Sequence, residues 1–430
     1  MRRGLLPSLA LIFAVLDGLP ARELFVAPGG DDANPGTVEK PLAGLQQAQK
    51  LAEPGDTVWI RGGKYVVTEA QIARREKLWA YVHLLGKSGR PEAPIRYWAY
   101  ADEKPVFDFG AVKPADLRVN AFHVTGSWLH FRGLEVIGVQ VSFKGHGQSA
   151  CFENQGSNNI FERLSLHDGQ AIGIYAVRGS HNLFLNCDAY RNHDYTSEDG
   201  RGGNTDGFGC HPAKGSVNNV FRGCRAWLNS DDGYDCISAY ESVTFENCWA
   251  MRNGENAQGR RLADGNGFKV GGYGTVPEGK IPAVAPRHRV QGCLAVRNRA
   301  NGFYANHHLT GGDWIDNSAS GNSANFNFLM RTPDNEKEID GVGHLIRGNL
   351  AFQGRDVVRL SLTDSDRQLN AFASSRRMNS RSFESLDETE LLAPRQADGS
   401  LPTTRFLKPK GDLANFGYAA PRPGRGEPTK

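Results

Sequence analysis

Short apolar runs alternate with turn residues through the middle of the chain, at a spacing that no amphipathic helix produces. The segments NIFERLSLHDG (159–169), NLFLNCDAYRN (182–192), NVFRGCRAWLN (219–229), VTFENCWAMRN (243–253) and HRVQGCLAVRN (288–298) align with one another. Their anchors, Leu164, Cys187, Cys224, Cys248 and Cys293, stand 23, 37, 24 and 45 residues apart, and DWIDNSASGN (313–322) adds a unit anchored at Ser318. Two separations are one unit of about 23 residues and two are that unit plus an insertion, a period typical of solenoids. Each unit continues into a second apolar run: AIGIYA (171–176), TDGFGC (205–210), DDGYDC (231–236), GNGFKV (265–270), ANGFYA (300–305) and ANFNFL (324–329). Runs this short, bounded by Gly, Asn and Asp, read as strands. The pattern predicts an all-β chain wound as a parallel β-helix, each turn of chain adding one rung to several parallel sheets.

In such a coil, aligned positions stack about 4.8 Å apart. Asn192, Asn229, Asn253 and Asn298 fall in one column, where side-chain amides can bond from rung to rung. The apolar and Cys columns fill the interior. The seven cysteines read as buried thiols, because Cys packs as a small hydrophobe. Cys210 and Cys236 also stack, and in an exported protein they could form a bridge. The opening LFVAPGGDDANPGT and the amphipathic stretch PLAGLQQAQKLAEPGD, stopped by Pro54 and Gly55, are expected to cap the first rung, which starts in TVWIRGGKY. The coil is expected over 22–354, with the cap at 22–65; residues 355–430 lose the period and are expected to form an irregular C-terminal arm on the coil, its last dozen residues flexible.

Composition narrows the class. Hydrophobic residues make up 39% and charged residues 23%, so the chain is globular, and 51 glycines among 430 residues favour many tight turns. A net charge of +3 is too small to argue for a nucleic-acid partner. MRRGLLPSLALIFAVLDGLPARE has the layout of a secretory signal over residues 1–21, too short to span a bilayer. The first cysteine is Cys151, so lipidation near the cleavage point is excluded, and no later segment is apolar enough for a membrane. A secreted or periplasmic monomer is expected.

The acidic residues change the picture further. Asp206 and Asp232 occupy one column on successive rungs, and Asp231 adjoins Asp232. Three residues on, the rungs carry Gly209, Asp235, Lys269 and Tyr304. Four carboxylates and one lysine therefore converge within two rung spacings, about 5 to 10 Å. Without a counter-ion they repel one another and raise each other's pKa. A hard cation removes the conflict, and calcium takes 6–8 oxygen ligands. The cluster has the oxygens for calcium and lacks the His or thiolate ligands that suit zinc. Without the register, the DDG would read as a solvated turn.

NTDGFG, NVFRGCRAW, NSDDGYD, FENCWA and GNGFKVGG, in this order, resemble polysaccharide lyase family 9, the right-handed parallel β-helix pectate lyases. The resemblance covers about 120–350, with the entry segment and DGSLPTTRFL besides. It implies that Asp206, Asp231, Asp232 and Asp235 bind Ca2+ and that Lys269 removes the substrate proton. The substrate would be an acidic polysaccharide, polygalacturonate or a related pectin, cleaved by β-elimination. One departure stands out: the family commonly follows Asp-Gly-Phe with two small residues and then Lys, whereas GCHPAK here displaces the lysine to Lys214.

Arg260, Arg261, Tyr304, His307, His308 and Arg331 are further candidates to line a substrate groove beside Lys269. His167, His193 and His211 read as turn or surface histidines. Two other functions use the same residues. A glycoside hydrolase needs two carboxylates about 5–9.5 Å apart, which Asp206 and Asp232 could supply. A non-catalytic exported glycan-binding β-helix would use calcium structurally. Lys269 beside the acids argues against the latter.

Overall fold

In the computed structural model, residues 21–273, 281–372 and 376–420 are described. The expected signal at 1–21 lies almost wholly outside them, as do the last ten residues. Three eleven-stranded sheets run along the molecule, and each turn of chain adds one strand to each in succession, so the fold is a parallel β-helix. Pairing is parallel within the three sheets except where Arg74–Glu76 meets Trp79–Leu85 at one end of the third.

The aligned repeats become rungs because each bends at the same two places. A left-handed residue precedes the anchor on each turn, at Arg163, Asn186, Gly223, Asn247 and Gly292. This conformation suits Gly and Asn and is tolerated by others when the fold demands it. The chain then turns from the first sheet into the second. A second left-handed residue, such as Arg191, Leu228 or Arg252, leads into the asparagine column. There Asn192 donates Nδ2–H to Asn229 Oδ1 at 3.2 Å, Asn229 to Asn253 at 3.1 Å, Asn253 to Asn298 at 2.9 Å and Asn298 to Asn322 at 3.0 Å. These buried amides satisfy one another and the neighbouring backbone, which is what permits a polar column inside the wall.

The interior is a stack of rings. In the third sheet Phe208, Tyr234, Phe268, Phe303 and Phe326 lie face to face at centroid spacings of 5.1, 4.6, 5.0 and 4.9 Å. Strand side chains alternate in and out. The residue after each ring therefore points outward from the coil, and the next, Cys210, Cys236, Val270 or Ala305, returns to the core. All seven cysteines are buried and unbridged.

The helix Leu45–Leu51 caps the first rung with Leu45 and Ala48 buried, as the Pro-Gly stop suggests. The coil continues beyond the expected limit at 354: Asp356–Arg359 pairs with Ala324–Asn327, and Ala371–Phe372 pairs with Leu350–Phe352. The arm then covers the second sheet, where Phe383, Leu391, Phe406 and Leu407 pack on Trp249, Met251, Leu294 and Val296. Arg395 of the arm and Arg225 of the coil grip the same carboxylate, Asp188, at 2.7 and 2.8 Å.

Candidate active site and metal centre

The outward positions of the third sheet form one register column. Along it stand Leu84, His123, Glu153, Tyr175, Gly209, Asp235, Lys269, Tyr304, Asn327 and Arg359. The expected sequence Gly209, Asp235, Lys269, Tyr304 is part of it. Gly209 leaves room that a side chain would fill: a Cβ there would lie 2.6 Å from the Tyr175 ring.

The strand entries bring the other acids alongside. The Asp232 N–H donates to Asp206 Oδ1 at 3.1 Å, and the Asn266 N–H donates to Asp232 Oδ1 at 2.6 Å, continuing the column one rung on. The glycines between the acids and the rings allow this close stacking; a Cβ at Gly233 would meet the Gly267 carbonyl at 2.6 Å. Asp206, Asp231 and Asp232 each place a carboxylate oxygen so that all three lie within 4.8 Å of one another. Asp206, Asp231, Asp232 and Asp235 are 2%, 4%, 0% and 5% exposed. Lys269 Nζ lies 3.1 Å from Asp235 Oδ2 and 3.2 Å from Asp232 Oδ2. The second approach has poor geometry, and Asp232 Oδ2 is left buried with no hydrogen bond.

Burial, then the charges of neighbouring aspartates, push Asp206 and Asp231 well above the ordinary carboxylate range. Burial pushes Asp232 up to about 6, with the Lys269 charge pulling the other way. Burial opposes the charge on Lys269, but Asp232, Asp235, Asp231 and Asp206 together outweigh it and hold the amine protonated. The arrangement stores mutual repulsion that a cation among the carboxylates would relieve.

Among the substrate-contact candidates, Tyr304, His307 and Arg331 gather beside Lys269. Tyr304 is in register with it, the Tyr304 hydroxyl is 3.3 Å from His307 Nδ1, and Arg331 Nε is 3.5 Å from His307 Nε2. His308 does not line the groove: it is 2% exposed, with Nδ1 accepting from the Gly272 N–H and Nε2 against the Pro286 carbonyl at 2.6 Å. Arg261 lines a separate opening of about 930 Å³ with Arg252, Arg297, Arg299 and Arg355, and the Arg260 backbone closes a turn on Asn256. His167 and His193 are occupied as turn residues, His167 between Glu135 and Asp168 and His193 on the Gly200 carbonyl.

His211, read from the sequence as a turn or surface histidine, stands just past the strand end and beside the acids. It stands at the position after Phe208, Gly209 and Cys210 where a lysine was expected, while Lys214 is exposed beyond the turn. Its ring meets Tyr175 edge-on at 5.4 Å, and one of its nitrogens lies within 4.8 Å of carboxylate oxygens of both Asp206 and Asp235. The signal was its place one residue past an inward cysteine, a position whose direction depends on how the strand ends.

Comparisons with known proteins agree with this architecture. The family model described as "Pel9A-like, right handed beta helix region" matches residues 24–343. A protein named pectate lyase L from Dickeya chrysanthemi is 30% identical over 391 residues, covering 90% of this chain and 83% of its own. A solved structure titled rhamnogalacturonan lyase is 38% identical with a TM-score of 0.85, covering 93% of this chain and all of that one. The crystal structure of pectate lyase Pel9A is 28% identical with a TM-score of 0.71, covering 92% and 90%.

Proposed function

Because this chain belongs to the Pel9A-like right-handed β-helix family and is a polysaccharide lyase, we propose that it cleaves pectate by calcium-dependent β-elimination. The observation that carries this reading is Lys269, a base candidate in contact with two of four buried carboxylates on an outward groove. Asp206, Asp231, Asp232 and Asp235 would hold the calcium. They suit it: the donors are carboxylate oxygens, and Asp232 Oδ2 is buried without a hydrogen bond. Bound calcium supplies electron withdrawal from a substrate carboxylate, which acidifies the proton on carbon 5.

The residues of the chain do the rest. Neutral Lys269 Nζ takes the carbon-5 proton. The released electron pair becomes the bond between carbons 4 and 5, and the bond from carbon 4 to the bridging oxygen breaks. That oxygen leaves with a proton from solvent, and the other product is a 4,5-unsaturated uronate. Tyr304 offers a ring beside the reacting sugar, and Arg331 offers a cation for a neighbouring uronate. Export through the N-terminal segment belongs to the same proposal.

A second polymer is favoured by two observations. The rhamnogalacturonan lyase structure is 38% identical. On the Tyr175 side of Asp235 the groove carries Glu153, not a cation. Burial works against its charge, but the nearby His123 and hydrogen bonds from Gln155 and Asn120 hold its pKa below the ordinary range. It lies three rungs from Asp235, about 14 Å. A uronate there would be repelled, whereas a neutral sugar of an alternating backbone would not.

The test is ultraviolet absorbance of unsaturated product from polygalacturonate and from rhamnogalacturonan, with calcium and with chelator. Product that needs calcium and disappears in Lys269→Ala supports the mechanism, and the better polymer decides the substrate. New reducing ends without ultraviolet absorbance would mean hydrolysis, and turnover undiminished in chelator would remove calcium from the account.

A further inference from the structure

His211 presents a bare nitrogen to the acids. Its Nδ1 lies 2.7 Å from the backbone carbonyl of Ile237. A carbonyl only accepts, so Nδ1 carries a proton, and in the neutral ring Nε2 holds the lone pair. Nε2 is buried and has no hydrogen-bond partner. His211, Asp206 and Asp235 each offer a ligand atom, and the three lie within 4.8 Å of one another. A lone pair facing two carboxylates is unfavourable unless something positive sits among them. The arrangement is that of a metal-ligating imidazole, whose other nitrogen donates to a backbone carbonyl and so holds the ring's tautomer and direction.

We propose that His211 Nε2 is a ligand of the divalent cation held by Asp206 and Asp235, giving the site a nitrogen donor on the face toward Tyr175. This rests on the calcium-site reading above and adds to it. A site of carboxylates alone is a hard-cation site. An imidazole shifts preference toward borderline cations, in the order in which Mn2+ precedes the later first-row metals. The imidazole should therefore favour Zn2+ and Ni2+ most, and Mn2+, which shares the oxygen donors with Ca2+, serves as the paramagnetic probe of the nitrogen.

The test uses the full chain, stripped with chelator and loaded with Mn2+ alone, and reads electron spin echo modulation, with no substrate present. Wild-type protein should show nitrogen-14 modulation of the imidazole type, and His211→Gln should lose it. The substitution should weaken Mn2+ about tenfold or more while changing Ca2+ affinity less than threefold. Mn2+ held by the wild type without nitrogen modulation would overturn the proposal and leave the carboxylate site standing. Mn2+ and Ca2+ held no better by the wild type than by Asp232→Asn would overturn both. The elimination assay is a separate measurement, so failure of pectate as substrate leaves this outcome unaffected.

Discussion

The amine of Lys269 lies 3.1 Å from Asp235 Oδ2, and the two residues are paired in register on adjacent rungs although they are 34 positions apart. The same contact that would place the proposed base beside the candidate metal site also stabilises its protonated form. A cation bound among the carboxylates would cancel part of that field and ease loss of the amine's proton.

The pH dependence of turnover follows. As the proposed base Lys269 would act in its neutral form, and the four aspartates raise its pKa. Activity should therefore rise with pH through the alkaline range, and more calcium should move the rise to lower pH. The check is kcat/KM against pH at two calcium concentrations. A profile flat from neutral to alkaline pH, or unmoved by calcium, would contradict Lys269 as base.

Asp232→Asn should act in opposite directions on binding and stability. The carboxyl of Asp232 sits at about 6 in the fold, chiefly through burial, against roughly 3.9 in an unfolded chain. An acid whose pKa is raised costs stability as pH climbs through the interval between these values. Metal-free wild type should thus gain thermal stability on moving from pH 7 to pH 5, and the Asn variant should gain less. The variant should also bind calcium at least tenfold more weakly. Calorimetry in chelator and calcium titration measure the two effects.

Asn253→Ala should damage the coil without touching the chemistry. Asn253 Nδ2 donates to Asn298 Oδ1 at 2.9 Å and to the Ala226 carbonyl at 3.1 Å, and its Oδ1 accepts from Asn229. Truncation leaves buried partners unsatisfied, at a cost of about 2–4 kcal/mol. The urea midpoint should fall with the slope unchanged. An unchanged midpoint would mean that solvent replaces the amide.

Acid should loosen the arm. Burial tends to raise the pKa of Asp188, but Arg225 and Arg395 more than compensate and hold it below the ordinary range. Stability from a depressed carboxyl is present above the unfolded value, about 3.9, and is lost as pH falls through the folded value. Amide exchange in residues 383–407 should accelerate selectively below about pH 4, and Arg395→Ala should produce the same acceleration at neutral pH. Uniform exchange across arm and coil would show that the Asp188 contact does not secure the arm.

Much of this molecule was legible in its sequence because a solenoid turns linear spacing into spatial order. The 23-residue period and the asparagine column predicted rungs and an amide ladder, and the apolar columns predicted a filled interior. Once rungs exist, alignment alone puts Asp232 over Asp206 and Lys269 over Asp235. Hydrogen-bonded strands bring residues dozens of positions apart to neighbouring rungs, so those placements needed no knowledge of side chains. What escaped the sequence depends on side-chain direction and on contacts between segments that share no period. The rotation that turns His211 toward the acids comes from the Ile237 carbonyl, on the next rung. The burial of His308 is set by Gly272 and Pro286, in an irregular insertion. The extension of the coil to Phe372 and the anchoring of Arg395 on Asp188 arise where the repeat has faded. Periodic hydrogen bonding carries register along the chain; only packing in three dimensions decides where a side chain outside that period will point.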